Sequence, residues 1–295
     1  MKAERDLGQE MAAALRYASA WRGKRVVIKY GGRAMAGEKF GTLIEDLVLL
    51  RSAGLRPMLV HGGGAEISTM LQTMGIEPRF VDGLRVTDED TMRVVEMVLG
   101  GSVNKRLVGM IQRAGGRAVG LTGKDGDLLR VRPHARADEL GFVGEIERVD
   151  TSLLDQLTNS GYVPVIGSLG VGPGGQTYNV NADTAAAALA AEVGAEKLLL
   201  LTDVRGINDN GAFRSRLTPA EAQELIDSGV VSAGMVPKVR ACLSALEAGV
   251  GSAHIVAAGE PHGLLVELFT EGGIGTMIKQ PGQPVARQLP GVEWS

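Results

Sequence analysis

Lys29 interrupts an apolar run, Val26-Val-Ile-Lys-Tyr30, that ends in Gly31-Gly32, and a second run, Arg56-Pro-Met-Leu-Val-His61, ends in Gly62-Gly-Gly64. Glycine lets backbone N–H groups approach an anion closely, and a following helix N-terminus adds positive potential. One such turn would be uninformative. Two, each after a strand and before a helix, point to an anion site on the edge where open parallel sheets hold ligands. A lysine inside an apolar strand either snorkels at an edge or is aimed at a bound charge; beside two glycines the second is favoured. Lys238 follows Gly234-Met-Val-Pro237 and falls in the first turn of a predicted helix, the end that disfavours a cation. Alone it reads as a solvated surface lysine. Arg85, in Gly83-Leu-Arg-Val-Thr87, either decorates the surface or holds a carboxylate bidentately. Asn181 is placed to cap the helix that follows it, Asp183 suits that helix's first turn, and Asn179 is left over.

No histidine or carboxylate pair stands out as general acid and base. A carboxylate acceptor needs neither, because its pKa of roughly 4 leaves it ionised at neutral pH. It can attack phosphorus directly, and phosphoryl transfer then requires positioning and positive charge. Lysines and backbone N–H groups supply both, so this inventory fits a carboxylate kinase better than a hydrolase. Gly170-x-Gly172-x-x-Gly175 formally matches a dinucleotide fingerprint, but the next helix begins only after Tyr178-Asn-Val-Asn181, which is the wrong geometry. No GxxxxGK[ST] string occurs. Cys242, one turn after Lys238 and without a well-placed histidine, reads as a small core residue.

These residues need a scaffold, and the hydrophobic pattern describes one. Strand-like runs alternate with helical spacing at 42–53, 103–114, 151–160, 182–192 and 236–248, which implies an α/β fold with a mostly parallel sheet covered on both faces. Thr87-Asp-Glu-Asp90 has capping-box spacing and opens a helix to about Leu99. Leu128–Arg132 and Phe142–Val149 read as an antiparallel insertion on the sheet, with no helix between them, and 170–175 reads as a loop. Thr218-Pro219 starts a helix to Asp227, and a last strand covers 274–278. A helix over 5–21 precedes the first strand; it either folds onto its own domain or packs on another subunit. With 31 Lys and Arg against 34 Asp and Glu, the chain is mildly acidic, a poor nucleic-acid binder. One cysteine excludes an intrachain disulfide framework and a Cys-based zinc site. The absence of a membrane-length apolar run or a secretory leader points to a soluble, cytoplasmic protein.

Five strings in order, Val27-Ile-Lys-Tyr-Gly-Gly32, Val60-His-Gly-Gly-Gly64, Gly83-Leu-Arg-Val-Thr87, Tyr178-Asn-Val-Asn-Ala-Asp183 and Gly234-Met-Val-Pro-Lys238, closely resemble the acetylglutamate kinases of the amino-acid kinase family. The resemblance runs from about residue 24 to 279. It implies a three-layer sandwich around a central, mostly parallel eight-stranded sheet. It also implies an acetylglutamate-binding lobe at 23–195 and an ATP-binding lobe at 196–295. By the same resemblance, Lys29 and Lys238 stabilise the transferring phosphoryl and Asp183 orients both. Gly32, Gly63 and Gly64 donate N–H bonds. Arg85 and Asn179, with Asn181 beside them, hold N-acetyl-L-glutamate. Mg2+ comes with ATP and is held by its phosphates, with no protein ligand.

The helix before the first strand resembles the oligomerisation arm (1–22) of arginine-inhibited, hexameric members, which are trimers of dimers. Pro261-His-Gly-Leu-Leu-Val-Glu-Leu-Phe-Thr270 and Gly273-Ile-Gly-Thr-Met277 resemble their C-terminal segment. The likeness implies an arginine site near Tyr17, Lys197, Glu267 and Gly275, and leaves room for a PII-type nitrogen-signalling partner. Ala257-Ala-Gly259 and Gly101-Ser102 depart from the family pattern. The alternatives are a non-catalytic arginine sensor of this fold and a sister kinase acting on acetylaminoadipate or glutamate.

Overall fold

A computed structural model describes residues 19–31, 40–232, 234–270 and 272–282. Tyr17, Gly32 and most of the 1–22 arm lie outside these residues. The chain opens with β1 (Arg25–Tyr30), α1 (Phe40–Ser52), β2 (Arg56–His61) and α2 (Gly64–Thr73). A hairpin of β3 (Phe80–Val81) and β4 (Leu84–Arg85) leads to α3 (Glu89–Glu96), a π-helical turn Met97–Ser102, α4 (Val103–Arg113) and β5 (Ala118–Thr122). Then come β6 (Leu129–Pro133), the one-turn α5 (Ala137–Leu140), β7 (Gly144–Val149), α6 (Ser152–Asn159) and β8 (Val163–Gly167). β9 (Leu169–Val171) and β10 (Thr177–Asn179) form a hairpin before α7 (Ala182–Glu192) and β11 (Lys197–Thr202). Three two-residue strands follow, β12 (Asn208–Asp209), β13 (Ala212–Phe213) and β14 (Arg216–Leu217). The last elements are α8 (Pro219–Asp227), α9 (Val236–Glu247), β15 (Ser252–Ala257), α10 (Gly263–Phe269) and β16 (Thr276–Ile278).

Eight strands form one sheet in the order β14-β16-β15-β11-β1-β2-β8-β5. Neighbours pair parallel throughout, except that β16 runs antiparallel to β15. The chain leaves β1 toward β2 on one side and, after β8, returns to β11 on the other. Strand order therefore reverses at β1, and such reversals open a crevice beyond the C-terminal strand ends. The segments on either side of residue 195 share this one sheet through the β1–β11 pairing.

Side-chain alternation sorts two cores. Val27, Val60, Ile166, Leu198 and Leu200 pack with Ala186 and Leu189 of α7 and Val239 and Leu243 of α9. Val26, Ile28, Leu59, Val165 and Leu199 pack on the other face with Leu47 of α1, Leu107 of α4 and Leu268 of α10. Full burial of each such aliphatic side chain is worth roughly 1.5–3 kcal/mol. Period two then places Lys29 on the Val27 face, beneath α7 and α9. The alanines of α7 let its backbone lie close to β1, with Ala185, Ala186 and Ala190 fully buried.

Several local expectations are corrected. β6 and β7 do pair antiparallel, but they join β9 and β10 in a separate four-stranded sheet, and α5 lies between them. That arrangement buries Leu129, Val131, Tyr178 and Val180 in the α7-side core. Residues 170–175 belong to the β9–β10 hairpin, where Gly174 and Gly175 take φ of 67° and 81°. Asp88, not Thr87, caps α3, accepting the Thr91 N–H at 2.9 Å. α3 gives way after Glu96 to the π-helical turn, and the final strand is only Thr276–Ile278.

Candidate active site

Lys29 stands one residue before the end of β1, level with Leu200 of β11 and Val60 of β2. The N-terminus of α7 is fixed beside it by Asn181, whose Oδ1 accepts the N–H of Asp183 at 2.9 Å and of Thr184 at 3.1 Å. This cap commits the Asn181 oxygen to the helix and sets Asp183 over β1. Asp183 Oδ1 lies 2.8 Å from Lys29 Nζ, and Oδ2 lies 2.7 Å from Lys238 Nζ. Lys238 arrives from the first turn of α9, which packs on α7. An ammonium group at the positive end of a helix is unfavourable by itself; Asp183 compensates it.

The side chains of Lys29 and Asp183 are 8% and 7% exposed, so two positive charges and one negative share a nearly dry pocket. Burial pulls the Lys29 ammonium below the ordinary lysine value, and Lys238 adds to this against the opposing pull of Asp183. Burial pushes Asp183 up, but the two ammonium groups outweigh it and hold its carboxyl below the usual range. Fixed cations in a water-poor site are where electrostatic stabilisation of developing negative charge is strongest.

The glycine turns adjoin this cluster. A Cβ on Gly31 would meet Lys29 Nζ at 3.2 Å, so a side chain there would crowd the ammonium. A Cβ on Gly63 would press on Leu99 Cδ2 at 2.8 Å, and Leu99 is carried by the π-helical turn. Neither the Gly63 nor the Gly64 N–H has a hydrogen-bond partner among the described residues. At the N-terminus of α2 these two free N–H groups are donors suited to an anion.

Arg85 Nη2 donates to the Gly64 carbonyl at 2.8 Å and to Ser68 Oγ at 2.9 Å, and its guanidinium lies 4.6 Å from the Phe80 ring centroid. Its Nη1 is buried with no partner among the described residues, a donor left open to an acceptor. Asn179 Nδ2 donates to Thr87 Oγ1 at 3.3 Å, and that hydroxyl donates to the Arg85 carbonyl at 2.9 Å. Thr87 thus ties Asn179 to Arg85. Thr87, of a capping type, instead joins these two side chains, and its place between Arg85 and the cap Asp88 is the sequence signal for that role.

Lys197 and Glu267 lie elsewhere: Lys197 opens β11 within the field of Glu267 of α10, and the Glu267 carboxylate reaches Gly275, farther along beside β15. Lys197 Nζ lies 5.0 Å from the Trp21 ring centroid, and burial pulls its pKa to about 8 against the field of Glu267. Glu267 Oε2 accepts the N–H groups of Ile274 and Gly275, and Oε1 pairs with His254 Nδ1. Cys242 is fully buried, its thiol pushed up by burial and by Asp183. Among the described residues no group of three or more His, Cys, Asp or Glu is placed to hold a metal ion. No helix among them is long and apolar enough to cross a membrane.

Comparison with known proteins places this arrangement. The profile of the Amino acid kinase family matches residues 24–257, and the chain belongs to that family. It is 51% identical over 282 residues to the acetylglutamate kinase of Nostoc sp. (strain PCC 7120), a match covering 94% of this chain and 95% of that one. N-acetylglutamate synthase from Neisseria gonorrhoeae, solved with coenzyme A and N-acetyl-glutamate, is similar at a TM-score of 0.82 and 29% identity, over 92% of this chain and 63% of that one. Carbamate kinase from Giardia lamblia bound to AMP-PNP shares the fold, with a TM-score of 0.66 at 17% identity over 88% of this chain and 99% of that one.

Proposed function

We propose that this chain transfers the γ-phosphoryl group of ATP to the side-chain carboxylate of N-acetyl-L-glutamate, forming N-acetyl-L-glutamyl 5-phosphate in the second step of arginine biosynthesis. The Lys29–Asp183–Lys238 cluster carries this reading, and the shared name of the close relatives supports the choice of acceptor. An acceptor carboxylate oxygen forms the new bond to γ-phosphorus. The bond from phosphorus to the β,γ-bridging oxygen breaks, and ADP leaves with that electron pair. No proton has to move in this step, in keeping with a centre that holds cations rather than a base. Lys29 and Lys238 stabilise charge on the phosphoryl oxygens from two sides. Asp183 holds both ammonium groups in place. The N–H groups of Gly63 and Gly64, with Gly32, receive the phosphoryl and the acceptor. Arg85 Nη1 takes the α-carboxylate, and Asn179, with Asn181 next to it, faces the acetamido end.

Both oxygens of Asp183 are committed to ammonium groups, so it is not placed to ligate a metal. Mg2+ is accordingly read as carried on the ATP phosphates, where it neutralises charge. Likeness of the N-terminal arm and the C-terminal segment to the arginine-sensitive subgroup supports a homohexamer, arginine feedback through Tyr17, Lys197, Glu267 and Gly275, and a PII-type partner. The biosynthetic role supports a cytoplasmic location. A coupled ADP-release assay tests the activity: turnover is expected with N-acetylglutamate. Turnover with glutamate or acetylaminoadipate but not N-acetylglutamate would move the chain to a sister kinase. Arginine binding with no turnover of any acceptor would make it a sensor.

A further inference from the structure

His61 ends β2 directly before the Gly62–Gly64 turn, is fully buried, and takes no part in the transfer described above. Its surroundings dictate where its proton sits. Asn104 of α4, equally buried, turns Nδ2 toward the Val165 carbonyl of β8 at 2.9 Å, the Leu121 carbonyl of β5 at 3.1 Å and His61 Nε2 at 3.1 Å. An amide oxygen cannot face two carbonyls, and Lys105 Nζ donates to Asn104 Oδ1 at 3.2 Å, so the amide is held this way round. The NH2 has two hydrogens for these three acceptors, so one is shared; because it only donates, the ring nitrogen opposite it carries the lone pair. The proton is therefore on Nδ1, which donates to the Gly62 carbonyl at 3.0 Å. A second proton, on Nε2, would meet the amide hydrogens directly. Burial also pulls the ring's pKa down to about 4, although the Gly62 bond acts in the other direction.

The Gly62 carbonyl belongs to the same peptide as the Gly63 N–H, and in a trans peptide the two point in opposite directions. Holding the carbonyl inward on His61 turns the Gly63 N–H away from the core, and that N–H has no partner among the described residues. Gly62 adjoins the catalytic cluster: its N–H donates to the Tyr30 carbonyl at 3.2 Å, and a Cβ on it would touch Ala182 Cβ at 3.4 Å, next to Asp183.

On the kinase reading above, we infer that His61, held by Asn104, is a positioning residue that fixes the Gly62–Gly63 peptide so that the Gly63 N–H is presented to the transferring phosphoryl group. A peptide between two glycines has no Cβ to restrain it. Without its anchor the donor would spend much of its time turned away, and a donor aimed at developing charge acts mainly through being fixed in advance.

Three variants of the full chain separate anchoring from packing. Losing one donor of this type costs about 10²–10³ in kcat, so a donor left mobile is expected to cost about 10- to 100-fold. His61→Leu removes both ring contacts, and His61→Gln reaches Asn104 but not the Gly62 carbonyl. Both should lower kcat by that factor while KM for N-acetylglutamate changes less than about threefold. His61→Asn puts an amide nitrogen where Nδ1 was and should recover kcat to within about fivefold of wild type. Nitrogen-15 NMR of the wild-type imidazole should report the Nδ1–H tautomer, which decides the geometry even where a variant does not fold. Wild-type kcat in His61→Leu, no recovery in His61→Asn, or an Nε2–H tautomer would each overturn the inference. A wild-type chain with the Nδ1–H tautomer and no turnover of N-acetylglutamate would instead overturn the kinase reading, and with it the role though not the hydrogen-bond chain.

Discussion

Asp183→Asn removes one negative charge from between two ammonium groups and leaves the side-chain shape almost unchanged. At 2.8 and 2.7 Å, each ion pair has a Coulomb attraction of about 6 kcal/mol at an effective dielectric constant of about 20. Desolvation of the charges offsets most of this, and removing one partner from a buried pair typically costs about 3–5 kcal/mol. Lys29 offers the protein a partial escape. Its pKa is already lowered by burial, and Asp183 is the group that holds the proton on. Without the carboxylate that pKa falls further, so Lys29 tends toward the neutral form. Part of the lost stability then reappears as lost catalysis, and kcat should fall at least about 100-fold. The alkaline limb of the kcat profile should move to lower pH, because Lys29 now needs a more acidic solution to stay charged. In the wild type the depressed Asp183 carboxyl contributes stability fully above the unfolded value of about 3.9, and loses it as pH falls through the folded value. The variant should lack that acid-side loss. ADP release measured from about pH 5.5 to 9.5 reads the first effect, and urea unfolding followed from about pH 7 down to about pH 2 reads the second. A wild-type kcat near neutrality, or an alkaline limb in its wild-type place, would refute the reasoning.

Other expectations follow from named contacts. Arg85→Lys keeps the charge but loses the planar fork that reaches the Gly64 carbonyl, Ser68 and the Phe80 ring, so KM for N-acetylglutamate should rise about tenfold or more with a smaller change in kcat; steady-state kinetics with an unchanged KM would contradict this. Cys242 should resist a thiol reagent in the folded protein and react fully in denaturant, because burial and Asp183 both disfavour its thiolate; rapid native labelling would show the site open. His262 Nδ1 lies 2.7 Å from Asp46 Oδ1, and Asp46 Oδ2 accepts the Leu264 N–H at 3.2 Å, tying α1 to the start of α10. That hydrogen bond raises the His262 pKa above 6.5, so its stabilisation is complete below that value and lost as pH rises through the raised one. Thermal melting should decline over that range in the wild type and stay flatter in His262→Gln.

The edge that carries the site was legible before any coordinates, because runs such as Val26–Tyr30 and Arg56–His61 end in glycine before helices, and parallel sheets leave their C-terminal ends open. Asn181 was legible as a cap because the alanine run behind it could only be a helix. The meeting of Lys29 with Lys238 was not, since it depends on strand order and on α9 lying against α7, which no local period encodes. Thr87 misled because Thr and Asp both cap, and burial rather than propensity chose Asp88. The second sheet was hidden for a similar reason: β6 and β7 look the same whether they extend the main sheet or pair with β9 and β10. His61 passed as an ordinary strand end, because its role lies in a hydrogen-bond chain through Asn104 to β5 and β8.

Hydroxylamine trapping tests the central claim most directly, since an acyl phosphate reacts with it to give a stable hydroxamate. Incubated with ATP, N-acetylglutamate and hydroxylamine, the wild-type chain should form one hydroxamate for each ADP released. Lys29→Ala and Lys238→Ala should each lower that rate at least about 100-fold, as expected for loss of a group that stabilises the transferring charge. ADP release without hydroxamate, or a wild-type rate in either lysine variant, would contradict the claim that two lysines joined by Asp183 drive phosphoryl transfer to a carboxylate.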